Sequence, residues 1–309
     1  MTHQDGQMEK SAAALSSVFA AVGLTTFKFV VGLVTNSLGI LAEAAHSALD
    51  LVAALMTFFA VRVADKPADR EHPFGHGKVE NVSALFETLL LLATSGWIIY
   101  EAVHRLNAPE THVEVSIWSF LVMATSIIVD VSRSRMLYAA ARKHNSQALE
   151  ADALHFSTDI WSSSVVILGL ILVLIGRLNP ALAFLEKGDA IAALIVAGIV
   201  VFVSGELGLR SIQALMDAAP KNGEHDRILQ EVGRLKGVSD VHAVRIRSAG
   251  AGWFVDMHVT MDGRLTLNES HALTERIESK VKSILPKSDV TIHAEPIGAE
   301  QGTKKRNKH

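Results

Sequence analysis

Six apolar stretches dominate the first two-thirds of the chain, at about 14–34, 39–63, 80–104, 115–139, 150–176 and 188–209. Each approaches or exceeds the roughly 20 residues that an α-helix needs to cross the hydrocarbon core of a bilayer. The short link Thr35-Asn36-Ser37 separates the first two, and Asn179-Pro180 punctuates the passage between the last two. After Pro220 charged residues become frequent and the patterns shorten. Asp226 to Lys236 carries the period of an amphipathic helix that stops at Gly237. Asp240 to Arg247 and Trp253 to Met261 alternate apolar and polar positions on either side of a Gly-containing turn, which predicts a β-hairpin. Asn268 is placed to cap a further helix running to about Leu285, Pro286 closes it, and Asp289 to His293 forms a last strand.

The expected architecture is an all-α domain of six transmembrane helices followed by a small αββαβ domain with its helices on one face of the sheet. The corresponding boundaries are an N-terminal tail at 1–13, a membrane domain at 14–210, a junction at 211–220, the α+β domain at 221–297 and a basic disordered tail at 298–309. Lys and Arg near the span ends set the orientation. Lys10, Arg62, Lys66, Arg70, Lys78, Arg133, Arg135, Arg142 and Lys143 fall on one side, against Arg105, Arg177 and Lys187 on the other. The first side is therefore cytoplasmic, and both termini lie there.

Composition sharpens this picture in three ways. A mean hydropathy of +0.29 supports membrane spans. A net charge of -3 gives no argument for nucleic acid, and the basic run Lys304-Lys305-Arg306 is expected to be solvated. The absence of cysteine excludes disulfides and thiolate metal sites, so any transition metal must be held by the 14 histidines and the carboxylates. The polar first ten residues, with no short apolar core and cleavage site after them, do not suggest a cleaved signal peptide.

Two of the apolar stretches contain ionisable residues in a repeated pattern. His46 and Asp50 lie four residues apart in AEAAHSALDL, and His155 and Asp159 repeat the spacing in EADALHFSTDI. Four residues put each pair on one helix face. An ionisable group within a span costs about 2.5–3.5 kcal/mol by insertion scales and points to function. One such pair is explained by a structural hydrogen bond between helices, whereas packing has no need for two copies. Two carboxylates, two neutral imidazoles and one divalent cation sum to zero charge, as a low-dielectric site requires. Without metal, protons restore neutrality, so metal and protons compete for the same groups. Imidazole with carboxylate suits Zn²⁺ or a neighbour such as Co²⁺ better than Mg²⁺ or Ca²⁺, with Fe²⁺, Ni²⁺, Cd²⁺ and Mn²⁺ as alternatives. Elsewhere in the spans, Asp130 is expected to be a helix-end residue, Lys28 to snorkel or pair with an acid, and Glu43 to support the site or mark the helix entry.

With NSLGILAEAAHSALD in the second span, HPFGHGKVE after it, EADALHFSTD in the fifth and the C-terminal αββαβ pattern, the chain resembles the cation diffusion facilitator family over nearly its whole length. The resemblance implies a homodimer in the bacterial inner membrane with a ferredoxin-like cytoplasmic domain, exchanging cytoplasmic metal for protons by alternating access. His46, Asp50, His155 and Asp159 match its transport ligands. A histidine at position 46, where members with broader zinc and cadmium use have aspartate, makes Zn²⁺ the expected ion. Asp69, His72 and His76 match a second site in the loop between spans two and three. In the C-terminal domain, His242, His258 and Glu295 match the ligands of one regulatory zinc ion, and His271, His293 and Glu295 those of another. Glu295 stands where relatives often have aspartate. Lys78 and Asp217 match a salt bridge at the domain junction. A membrane metallohydrolase would need an open metal position and a general base, and the usual HExxH helix is missing from the sequence. A metal sensor without transport is the lesser alternative.

Overall fold

The computed structural model describes residues 3–35, 38–107, 117–178, 188–220 and 223–297. The Asn179-Pro180 link, Lys187 and the basic ending from Gly298 lie outside them. The chain divides into two compact units, Met1–Ile212 and Gln213–His309.

The first unit holds long helices: α1 (His3–Thr35), α2 (Leu38–Ala64), α3 (Lys78–Asn107), α4 (Ile117–His144), α5 (Gln147–Leu178) and α6 (Gly188–Leu215). Among the described residues, four stretches are long and apolar enough to cross a membrane: Gly6–Thr35, Glu43–Ala64, Lys78–His104 and Ala193–Leu215. Small residues bring the helices close. Ala13 and Ala14 of α1, Val61 of α2, Leu137 and Ala141 of α4, and Ala148, Leu149, Ala153 and Phe156 of α5 make one buried cluster. Ala84, Ala151 and Leu207 join α3, α5 and α6 in another. Alanine at such contacts lets backbones approach, which is how helices associate where lipid is as apolar as the side chains.

Three expectations change. Residues 3–13 belong to α1 instead of forming a tail. Two of the polar side chains there are tied to α2 and α3: Lys10 Nζ donates to Asp65 Oδ1 at 2.5 Å and to Glu80 Oε1 at 3.0 Å, and Gln7 Nε2 donates to the Asp65 carbonyl at 2.9 Å. Second, α4 continues to His144, which places Asp130 in mid-helix, not at its end. Third, Arg133, assigned above to the cytoplasmic rim, is buried: its guanidinium lies 3.4 Å from the centre of the Phe156 ring and donates to Asp130 Oδ1 at 3.4 Å and to Ser17 Oγ at 3.0 Å. An acid on the preceding turn and an aromatic face on α5 replace the water that a rim position would supply.

The second unit contains α7 (Glu224–Gly233), β1 (Asp240–Ala249), β2 (Gly252–Met261), α8 (Leu267–Ile284) and β3 (Ser288–Pro296). The sheet order is β1-β2-β3, with β1 and β2 antiparallel and β2 and β3 parallel. Gly250, at φ 59, opens the two-residue hairpin loop in the left-handed region that such turns reserve for glycine. Alternation along β2 sends Val255, Met257, Val259 and Met261 into the core, where they meet Ile228 and Val232 of α7 and Leu273, Ile277 and Val281 of α8. The cap of α8 is Thr266, not Asn268. Thr266 Oγ1 accepts from the Glu269 amide, and Glu269 Oε2 accepts from the Thr266 amide. This reciprocal box satisfies two donors where Asn268, already inside the first turn, would satisfy none.

Ile277 is fully buried between α8 and the sheet. Ile277→Ala is expected to destabilise this unit by about 2–5 kcal/mol, measured as a lower denaturant midpoint for its unfolding in the full-length protein.

Candidate metal centres

The two His-Asp pairs meet where α2 and α5 pack together. Asp50 Oδ1 lies 3.1 Å from His155 Nε2, and Asp159 Oδ2 lies 3.7 Å from the same nitrogen. His46 Nε2 stands 4.0 Å from Asp50 Oδ1 and 4.0 Å from Asp159 Oδ1. Asp50, His155 and Asp159 offer ligand atoms that all lie within 4.8 Å of one another, and His46 borders that group. His155 and Asp50 are buried while the His46 side chain is 42% exposed. The set therefore has a closed side and an open side, with imidazole on both. Lys28 of α1 donates to Ser47 Oγ at 2.8 Å and to Glu43 Oε2 at 3.3 Å, so both residues serve a polar contact between α1 and α2 beside the ligands.

The loop residues Asp69, His72 and His76 also converge. Asp69 Oδ1 lies 3.4 Å from His72 Nδ1, Asp69 Oδ2 lies 3.4 Å from His76 Nε2, and the two imidazole rings are 4.3 Å apart. The turn is made by Gly75, at φ 78, whose amide donates to the His72 carbonyl at 2.9 Å. The backbone amide of His72, joined by that of Glu71, holds the Asp69 carboxyl below the usual carboxylate range. Asp69 is thus ionised at neutral pH and able to ligate without first losing a proton.

In the second unit, strand register assembles the donors. His242, His258 and His293 occupy one row across β1, β2 and β3. Since Val255, Met257 and Val259 point to the helices, the row lies on the opposite, half-exposed face. Glu295, two residues along β3, reaches His258 Nδ1 at 2.9 Å, His242 Nε2 at 3.4 Å and His293 Nε2 at 3.7 Å. A β-bulge follows His242, with Ala243 at φ 50. His242, His258 and Glu295 are brought together, with His293 beside them. His271 is not: it lies on α8 with Glu275 Oε1 3.6 Å away, and among the described residues no three-ligand group includes it. Of the expected junction pair, Lys78 opens α3, and Asp217 Oδ2 lies 3.4 Å from Arg247 Nη1.

Two acids near the first set were not singled out above. Asp152 and Glu87 are wholly buried. Asp152 precedes His155 by three residues and Asp159 by seven, so the helical period that relates the ligands also marks it. Glu87 carries only the weaker signal of an acid inside an apolar stretch.

A helical unit with membrane-length apolar segments, a mixed imidazole and carboxylate cluster between its helices, a second in one of its loops and a third in the other unit are the features of a membrane protein that handles cations. The chain belongs to the cation diffusion facilitator, or cation efflux, family: residues 14–216 match the cation efflux transmembrane domain, and residues 220–297 match the cation efflux protein cytoplasmic domain. It is 30% identical to the cation-efflux pump FieF of Yersinia enterocolitica over 298 residues, covering 96% of this chain and 95% of that one. It is also 30% identical to FieF of Shewanella oneidensis over 291 residues, covering 94% and 95%. Two solved structures are similar to part of the chain. The zinc form of the putative zinc transporter CzrB is 30% identical, covering 26% of this chain and 93% of that one, with a TM-score of 0.24. The metal-bound C-terminal domain of CzcD from Thermotoga maritima is 34% identical, covering 24% and 88%, with a TM-score of 0.23.

Arg133 is the buried cation paired with Asp130. Arg133→Ala leaves that carboxylate buried without its partner and is expected to cost about 3–5 kcal/mol, measured as a fall in the thermal midpoint of the detergent-solubilised protein. An Asp130→Asn/Arg133→Met double variant should recover most of the loss.

Proposed function

We propose that the protein is a homodimeric, proton-coupled antiporter that exports divalent metal, zinc foremost, from the cytoplasm by alternating access. The reading is carried by one observation: two imidazoles and two carboxylates from α2 and α5 converge at 3.1–4.0 Å within a helical bundle. On this reading α1 to α6 all span the inner membrane, both termini are cytoplasmic, and the C-terminal domain is ferredoxin-like. Family membership and the FieF relatives' description as cation-efflux pumps support efflux as the direction of transport.

Coupling follows from shared ligands. Metal binds the carboxylates and neutral imidazoles, so loading releases protons and protonation releases metal. An acidic exterior therefore favours unloading outside, and the more alkaline cytoplasm favours loading. The preference for zinc rests on His46, which gives the set two borderline-soft nitrogens in place of one. The loop triad is proposed as a cytoplasmic capture site. The histidine row with Glu295 is proposed as a regulatory zinc site, completed by His271 across the dimer contact.

Proteoliposomes carrying an interior zinc dye test the central claim. A pH gradient should drive zinc movement in the wild type, and Asp50→Ala should abolish it; undiminished flux in that variant would overturn the assignment, and intact zinc binding without flux in the wild type would favour a sensor. In the same vesicles His46→Asp should lower the zinc-to-cadmium flux ratio. A ratio that does not move would place ion discrimination outside this ligand set.

A further inference from the structure

The histidines of the C-terminal sheet do not turn the same nitrogen toward Glu295. His258 presents Nδ1, at 2.9 Å, whereas His242 presents Nε2, at 3.4 Å, and His293 presents Nε2, at 3.7 Å. The strands alone therefore leave the choice of nitrogen open. At His242 a second carboxylate settles it: Asp240 Oδ2 lies 3.0 Å from His242 Nδ1. Asp240 and His242 are two residues apart on β1 and so share a face. Their partners on β2 are Thr260 and His258, and both residues precede the bulge that begins after His242.

The His242 ring thus stands between two carboxylates, one at each nitrogen. A neutral imidazole has one N–H and can donate to only one of them. When Nδ1–H donates to Asp240, Nε2 keeps its lone pair and faces the Glu295 carboxyl. Two electron-rich atoms so placed repel, and a positive charge between them, metal or proton, removes the repulsion. The reverse tautomer spends the proton on Glu295 and leaves the free lone pair against Asp240. Only the first tautomer directs a lone pair to the place where His258 and Glu295 offer theirs.

We propose that Asp240 is a positioning residue of the C-terminal metal site, holding His242 in the tautomer and ring orientation that present Nε2 to zinc. Asp240 is not itself a ligand, because it bonds the nitrogen on the far side of the ring. A carboxylate in that position also raises the basicity of the ligating nitrogen, and losing one typically costs about 10–100-fold in metal affinity. Asp240 thereby sets the zinc concentration at which the domain responds. This deepens the regulatory-site reading above and rests on it.

Zinc titration of the full-length protein in detergent, against chelators of graded strength, tests the assignment. The parent for all variants carries Asp50→Ala, Asp159→Ala and His76→Ala, which take donors from the other two clusters. The Asp240 side chain is 53% exposed, so its truncation leaves no cavity. Asp240→Ala should weaken zinc binding by about 10–100-fold. Added to His242→Ala, the same substitution should change the affinity by less than about twofold, since it acts only through that ring. An equal loss in both backgrounds would make Asp240 a direct ligand or a support of the strand, and overturns the proposal. Asp240→Asn keeps the shape and an acceptor oxygen and should recover part of the loss; no recovery overturns the orienting bond. If Asp240→Ala binds like the parent while His242→Ala binds weakly, the proposal fails and the regulatory site stands. If neither His242→Ala nor His258→Ala alters zinc binding, the regulatory-site reading fails and takes the proposal with it.

Discussion

Charge held away from water is the constraint on which the helical unit depends. Several of the buried ionic groups described there are answered by an opposite charge or bridged by a hydroxyl. Arg133 is compensated in three ways: by the ring of Phe156, the carboxylate of Asp130 and the hydroxyl of Ser17. Lys28 is answered by Ser47 and Glu43. Among the groups that remain after these pairings are the carboxylates beside His46 and His155, which offer donors suited to a cation. Helix packing through alanine complements these pairings, because close backbones keep water from screening the interior.

Much of this is readable along the chain because the relevant spacings are local. A four-residue interval on one helix fixes a pair of ligands whatever the tertiary fold, and the repeat of that interval identifies its counterpart. The αββαβ order is equally local, following from periods of two and of 3.6. Arg133 and Lys10 show what local reasoning misses. Near a span end a basic residue is ordinarily a rim charge, and only packing reveals that Phe156, or the pair Asp65 and Glu80, stands where solvent was assumed. Thr266 was missed as the cap because Asn268 is as good a capping residue by type, and the box depends on where the backbone turns. Glu87 has no partner in sequence at all; its company comes from α2 and α5.

The C-terminal sheet shows the same division at the level of register. That His242, His258 and His293 lie on strands is visible in the pattern, but their alignment into one row depends on pairing two antiparallel strands and then a parallel one. Side chains alternate faces along each strand, so a slip of one residue in either pairing would turn a histidine toward Met257 and Val259. The bulge after His242 takes up the extra residue on β1, so that the remainder of that strand keeps Ile246 in the core while His242 stays on the open face. His271, contributed by a helix, is outside any register rule.

The bond that Lys10 makes to both Asp65 and Glu80 bears on the loop between them. Those acids stand just before and just after the segment that carries Asp69, His72 and His76, and one ammonium group on α1 ties both of its ends. A segment with tethered ends has fewer conformations to lose when it closes on an ion. The exposed triad is thus preorganised from below, by a contact that involves none of its three residues.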